Sequence, residues 1–257
     1  MKKDKIMRKV KFFVAMSMMM VLSNGVMLAQ APVKRSSGNG GTQSTAVPSK
    51  QKPTNKPSPL NGYHEKTYSD GSVYKGNFRN DLFDGYGELK SSDGNIYKGF
   101  FEKGNLSEGT IIYPIGGASY TGELKNMKPF GKGTMISPRG RYQWQFVGVF
   151  DENENMVTGV QTFSNGDKYE GDFFNGSKHG QGTYTWKSGD QYVGDWNNDK
   201  RTGSGTYTWV NGNKYVGDWI NGEMTGFGTM YYSNHTYIKG EWQKGTVIRT
   251  TEQGTWR

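Results

Sequence analysis

The residues able to move a proton or hold a metal are few and scattered. The histidines are His64, His179 and His235, far apart and without ligand spacing, and the chain has no cysteine. That removes thiol nucleophiles, thiolate metal sites, disulfides and a lipoprotein cysteine. Asp151-Glu152-Asn153-Glu154-Asn155 resembles the opening of a Ca²⁺ loop. It lacks the central glycine, however, and Thr162 stands where the twelfth-position glutamate is needed. No Gly-x-Ser-x-Gly elbow, phosphate loop or dinucleotide fingerprint occurs, and Gly203-Ser204-Gly205 belongs to a repeated pattern. The expectation is no catalytic centre, no metal and no cofactor.

Two rows of like residues offer binding chemistry instead. One is aromatic: Tyr74, Tyr97, Tyr120, Tyr169, Tyr192 and Tyr215, with Phe78, Phe173, Trp196, Trp219 and Trp242. Rings in register could stack on sugars or grip an apolar peptide; the plainer reading makes them the only core available to the fold. The other row is acidic: Asp172, Asp195, Asp218 and Glu241. If successive hairpins stack at twice the strand spacing, about 9.5 Å, these carboxylates form a ladder. It could receive a basic partner or be a solvated face, and it disfavours docking of that face on anionic lipid.

The elements that would position these rows are set by glycine. Gly76, Gly99, Gly122, Gly148, Gly171, Gly194, Gly217 and Gly240 follow one another at 23 residues, with one interval of 26. Each sits within an aromatic-x-Gly-x-aromatic pattern or a close variant of it, as in Tyr192-Val193-Gly194-Asp195-Trp196. A fixed period of this length marks a repeat architecture. Alternation places Tyr192, Gly194 and Trp196 on one face of a strand, and Val193 and Asp195 on the other. A glycine pair such as Gly203-x-Gly205 follows, then a strand-like run, Thr206-Tyr207-Thr208-Trp209. Units close on Asp93-Gly94, Asn165-Gly166, Ser188-Gly189 or Asn211-Gly212. These read as tight hairpin turns with positive φ at both central residues. Two strands of about five residues then fill each unit, and the glycines leave room for a ring from a neighbouring strand. One hairpin is marginal in water; eight stacked units support one another.

The ends differ from the array. Residues 1–29 pair a basic start, including Lys2, Lys3, Lys5, Arg8, Lys9 and Lys11, with an apolar Phe12 to Leu22 and small Ala29 and Ala31. This is the pattern of a secretory signal peptide, cut after Ala29 or Ala31; its rival is an uncleaved anchor. Residues 30–60 are polar, Pro-bearing and basic, and read as a disordered linker or cationic tether. Of the net charge of +9, residues 1–29 and 30–60 each contribute +5, which leaves −1 for 61–257. The alkaline balance therefore gives no support to nucleic-acid binding by the folded part.

Tyr-x-Gly-x-Trp, Gly-x-Gly and a glycine turn at this period resemble the MORN repeat (membrane occupation and recognition nexus), most closely at Tyr169, Tyr192 and Tyr215, over roughly residues 63–245. The resemblance implies an all-β fold, one elongated, twisted antiparallel sheet of about eight hairpins, and a recognition or scaffold role without catalysis. Units depart from the pattern at Ser107-Glu108-Gly109, at an insertion near Pro138 to Trp144, at Val157, and in the last unit, which residues 246–257 would complete as a cap. The resulting expectation is an exported, periplasmic or extracellular protein whose array, 61–245, meets another envelope protein. Its alternative is direct contact with envelope lipid or glycan, and a homo-oligomer through edge pairing is left open.

Overall fold

The computed structural model describes residues 58–138, 140 and 143–257. The expected signal peptide, and the linker up to residue 57, lie outside the described residues. The chain divides into Met1–Pro59 and Leu60–Arg257.

Every regular element among the described residues belongs to the second unit and is a strand: β1 (Gly62–Thr67), β2 (Val73–Arg79), β3 (Leu82–Lys90), β4 (Ile96–Glu102), β5 (Asn105–Tyr113), β6 (Ala118–Lys125), β7 (Lys128–Ile136), β8 (Trp144–Phe150), β9 (Met156–Phe163), β10 (Lys168–Phe174), β11 (Ser177–Thr185), β12 (Gln191–Asn197), β13 (Lys200–Thr208), β14 (Lys214–Ile220), β15 (Glu223–Tyr231), β16 (Thr236–Gln243) and β17 (Thr246–Thr255). Each pairs antiparallel with its neighbours in sequence, giving one open 17-stranded sheet with β1 and β17 at its edges. The eight expected hairpins run from β2–β3 to β16–β17, with β1 in front. Their strands are longer than the expected five residues, seven in β12 and nine in β13. The polar stretch after the aromatic run stays paired and turns within two residues in seven hairpins; β8 and β9 are joined by the longer turn 151–155.

The turn chemistry falls in different places from those expected. Positive φ at both central residues occurs inside the hairpins, at Asn198-Asp199 (48° and 66°) and Asn221-Gly222 (53° and 90°). At Asn165-Gly166 and Asn211-Gly212 only the glycine is left-handed. There the Asn side chain accepts a backbone N–H two residues on, 3.0 Å from Asp167 and 3.0 Å from Asn213. The connections at Asn165 and Asn211 are thus Asx-stabilised turns one residue longer than a two-residue hairpin loop.

The core lies on one face. Tyr74, Tyr120, Tyr169, Tyr192 and Tyr215 are fully buried. Each ring folds over the glycine two residues ahead in its own strand and the glycine paired with it on the next. A Cβ on Gly205 would sit 2.6 Å from Tyr192 Cε2. The covering ring therefore comes from the same strand, not from a neighbour. Edge-to-face contacts link Tyr169, Trp196, Tyr192, Trp219, Tyr215 and Trp242 in series at 5.2–5.5 Å. Such pairs add to the apolar burial that a single-layer sheet otherwise lacks.

Candidate functional site

Within a unit the two glycines of Gly-x-Gly do different work. Between β12 and β13 the register shifts after Gly194, so that Asp195 faces Thr202 and the intervening residues bulge. Gly203 takes the left-handed conformation, φ 54°, in this bulge, while Gly205 lies under the Tyr192 ring. The Asp195 carboxylate accepts the Ser204 N–H at 2.9 Å. Asp172 does the same for Gln181 at 3.2 Å, and Asp218 for Phe227 at 3.0 Å. Glu241 instead pairs with Arg249 at 3.2 Å. The acidic row is thus engaged by the protein's own backbone and side chains. The tyrosine hydroxyl donates into the same bulge: Tyr192 to the Asp195 carbonyl at 3.1 Å, and Tyr169 to that of Asp172 at 2.9 Å.

An acid or amide accompanies a left-handed glycine in five units: Asn77 with Gly85, Glu123 with Gly131, Asp172 with Gly180, Asp195 with Gly203 and Asp218 with Gly226. Units beginning at Gly99 and Gly148 lose both partners together, with Phe100 and Val149 in the acid's place and Ser107 and Val157 in the glycine's. In the first of these, Leu106 of β5 covers the glycine pair Gly99 and Gly109. Tyr97, although in register with the other tyrosines, leaves that position. The insertion after β7 is confined to the turn before β8, where Trp144 N–H donates to Ser137 Oγ at 2.7 Å.

The tryptophans stitch units together. The Trp196, Trp219 and Trp242 indoles donate to the carbonyls of Gly182, Gly205 and Gly228 in the preceding unit, at 3.1, 3.1 and 3.0 Å. These rings are 3–5% exposed, so in the sheet as it stands they are core rather than a stacking platform. Beside them on the same face runs a lane that the glycine spacing does not single out: Tyr184, Trp186, Tyr207 and Trp209, half-exposed, with centroids 4.6–5.2 Å apart. Its signal in the sequence is an aromatic at every second position after Gly-x-Gly. Two cations enter this face from β11 and β13. Lys178 lies 5.5 Å from the Tyr184 and Trp196 centroids, and Arg201 lies 4.4 Å from Trp219 and 5.2 Å from Tyr207.

The opposite face is open. A single cross-strand row runs through Thr110, Thr121, Thr134, Val147, Val160, Glu170, Thr183, Val193, Thr206, Val216 and Thr229. Val147, Val193 and Val216 are 41–49% exposed, with no second layer over them among the described residues. A shallow trough of about 480 Å³ crosses this face, lined by Lys132, Thr134, Val147, Val149 and Thr158 over the backbone of Gly133, Gly148 and Gly159. Among the described residues no three His, Cys, Asp or Glu side chains gather in a metal-holding group. His64 faces the Asn61 carbonyl at 2.7 Å, His179 keeps a buried Nδ1 without a partner among the described residues, and His235 packs on Trp256. Asp151 closes its own turn by accepting from Asn153 and Asn155, both at 2.8 Å.

No curated protein matches the sequence. Among solved structures the chain is similar to the G-box domain of the microcephaly protein CPAP, 10% identical over 76% of this chain and 99% of that one, with a TM-score of 0.28. That likeness is too slight to bear on fold or function. The MORN repeat model matches residues 74–96, 120–142, 169–191, 192–214 and 215–237. These are the five units in which an acid or amide lies beside a left-handed glycine, and this chain carries five MORN repeats.

Proposed function

We propose that the protein is a non-enzymatic interaction module that offers the open Thr/Val face of its sheet to another protein of the cell envelope. The observation behind this reading is the exposed row in which Val193, Thr206 and Val216 stand in register and which reaches Val147 through Thr183, Glu170 and Val160, with no covering layer among the described residues. Apolar groups in register on a rigid repeat scaffold are suited to docking a partner along several units at once. The trough on this face is shallow and lacks convergent titratable groups, which favours a surface over a catalytic pocket. The basic and apolar N-terminal segment supports an envelope location.

The test is in-cell crosslinking and pull-down of the full-length protein beside a Val193→Lys/Val216→Lys variant. Both positions are exposed, so the variant should melt with the parent. Recovery of one or two envelope proteins by the parent and not by the variant supports the reading. Equal recovery by both, or recovery of none, removes it.

A further inference from the structure

The first ring-face position after each hairpin turn is a slot opposite the second aromatic of the unit, or Leu124 in the third. Its occupants are Phe83, Leu106, Pro129 and Met156 in the first four units, and Met224 and Val247 in the last two. Only β11 and β13 place cations there, Lys178 opposite Phe173 and Arg201 opposite Trp196. The two cations are treated differently. Lys178 Nζ is held by the Asp199 carboxylate at 2.9 Å, and the Asp199 N–H donates to the Lys178 carbonyl at 3.1 Å. In the next unit the same backbone bond runs from Gly222 to the Arg201 carbonyl at 2.9 Å. Gly222 therefore occupies the position of Asp199 and supplies only a carbonyl, 2.6 Å from Arg201 Nη2. No described carboxylate pairs with Arg201. A half-buried guanidinium amid ring faces is costly to hold without an anion, and its planar fork fits a carboxylate bidentately.

Of the rings around it, Trp219 and Tyr192 are buried, and Trp186 and Tyr207 are part-exposed. Trp186 lies 5.9 Å from the Arg201 guanidinium carbon, and Tyr207 links Trp186 to Trp209 at 5.2 and 4.6 Å. We propose that Arg201, with Trp186 beside it and Trp209 next along the lane through Tyr207, forms a binding site for a carboxylated polysaccharide, the guanidinium taking a sugar carboxylate and the indoles taking the apolar faces of sugar rings. A vesicle surface would call for several free cations side by side, and Lys178 is already neutralised. An acidic peptide would use backbone donors and acceptors, which here are taken up by strand pairing. The site lies on the face opposite the proposed protein-docking row and does not depend on it.

Two variants test it in the full chain. Arg201→Met places in the slot the residue found at Met224. Gly222→Asp recreates the Lys178–Asp199 arrangement; a Cβ there meets nothing nearer than 4.0 Å, and Asp199 already adopts a left-handed φ of 66° at the equivalent position. Calorimetry with hexamers of galacturonate and of mannuronate should show binding by the parent and a loss of about tenfold or more in both variants. Cellohexaose, polyglutamate and phosphatidylglycerol vesicles should not bind through Arg201. Failure of both uronate hexamers to bind, unchanged affinity in the two variants, or Arg201-dependent binding of polyglutamate or vesicles instead overturns the proposal.

Discussion

Tyr192 shows why single residues here resist conservative change. Its hydroxyl reaches the carbonyls of Asp195 and Thr202, and its ring occupies the space a Cβ on Gly205 would need. Tyr192→Phe keeps the ring and loses two weak hydrogen bonds, at a cost of about 1 kcal/mol. Gly205→Ala is expected to cost more, about 1–3 kcal/mol, because the methyl drives the ring off a fully packed position. Gly205 has no left-handed φ, so that cost is steric alone. Chemical denaturation of the two variants checks the order, and a Gly205→Ala protein as stable as the parent would show that the ring can step aside. The glycine period and the face alternation were legible in the sequence. Which ring covers which glycine was not, because spacing sets the face of a side chain and leaves its rotamer undetermined. At Gly99 and Gly109 the cover is Leu106 and not Tyr97, a choice that spacing leaves open.

Turns and bulges fix how one element meets the next. The glycine-turn signals were legible as turns, but their type was not, since it depends on whether the residue before the glycine is also left-handed. Asp167 illustrates what sequence alone does not separate, a solvated acid from a structural one. It accepts the Lys187 N–H at 2.9 Å and the Tyr184 hydroxyl at 2.7 Å, joining one inter-unit turn to the next. Burial works to raise its carboxyl, but the Lys187 N–H, the Tyr184 hydroxyl and the Asn165 amide outweigh it and hold it below the ordinary 3.8. Asp151 and Asp70 are lowered as well, the first through Asn155 and Asn153 against its burial, the second chiefly through the Ser72 hydroxyl. A carboxyl lowered in the native state stabilises above its unfolded value, and this is lost as pH falls through the lower native one. Circular dichroism should show the parent losing stability below about pH 4, with a shallower loss in Asp167→Asn, which removes one of these groups. Superimposable acid profiles would assign Asp167 no part in the linkage.

The whole array behaves as a chain of neighbours, because each ring belongs to two units. Trp219 contacts Tyr192 behind and Tyr215 ahead, at 5.2 and 5.4 Å, and hydrogen-bonds back to Gly205. Sequence made the stacking of units legible through the period; the departure of three units, at Gly99, Gly148 and Gly240, from the glycine–acid pairing without loss of strand pairing became visible only in the register. The buried tyrosines supply a probe of this coupling. Burial raises the Tyr74, Tyr120 and Tyr215 hydroxyls to about 12, and pushes Tyr169 and Tyr192 up as well. For a group raised in the native state, the stabilisation is complete below the unfolded value of 10.0 and declines as pH climbs through the native one. Alkali should therefore act on the sheet as a whole. Ionising one ring opens its glycine seat and loosens the tryptophan shared with the next unit, so tyrosinate absorbance from the buried set and loss of strand signal should rise together above pH 10. Ionisation of that set well before any loss of strand signal would mean that the rings reach solvent with the sheet intact, and their role as its core would have to be given up.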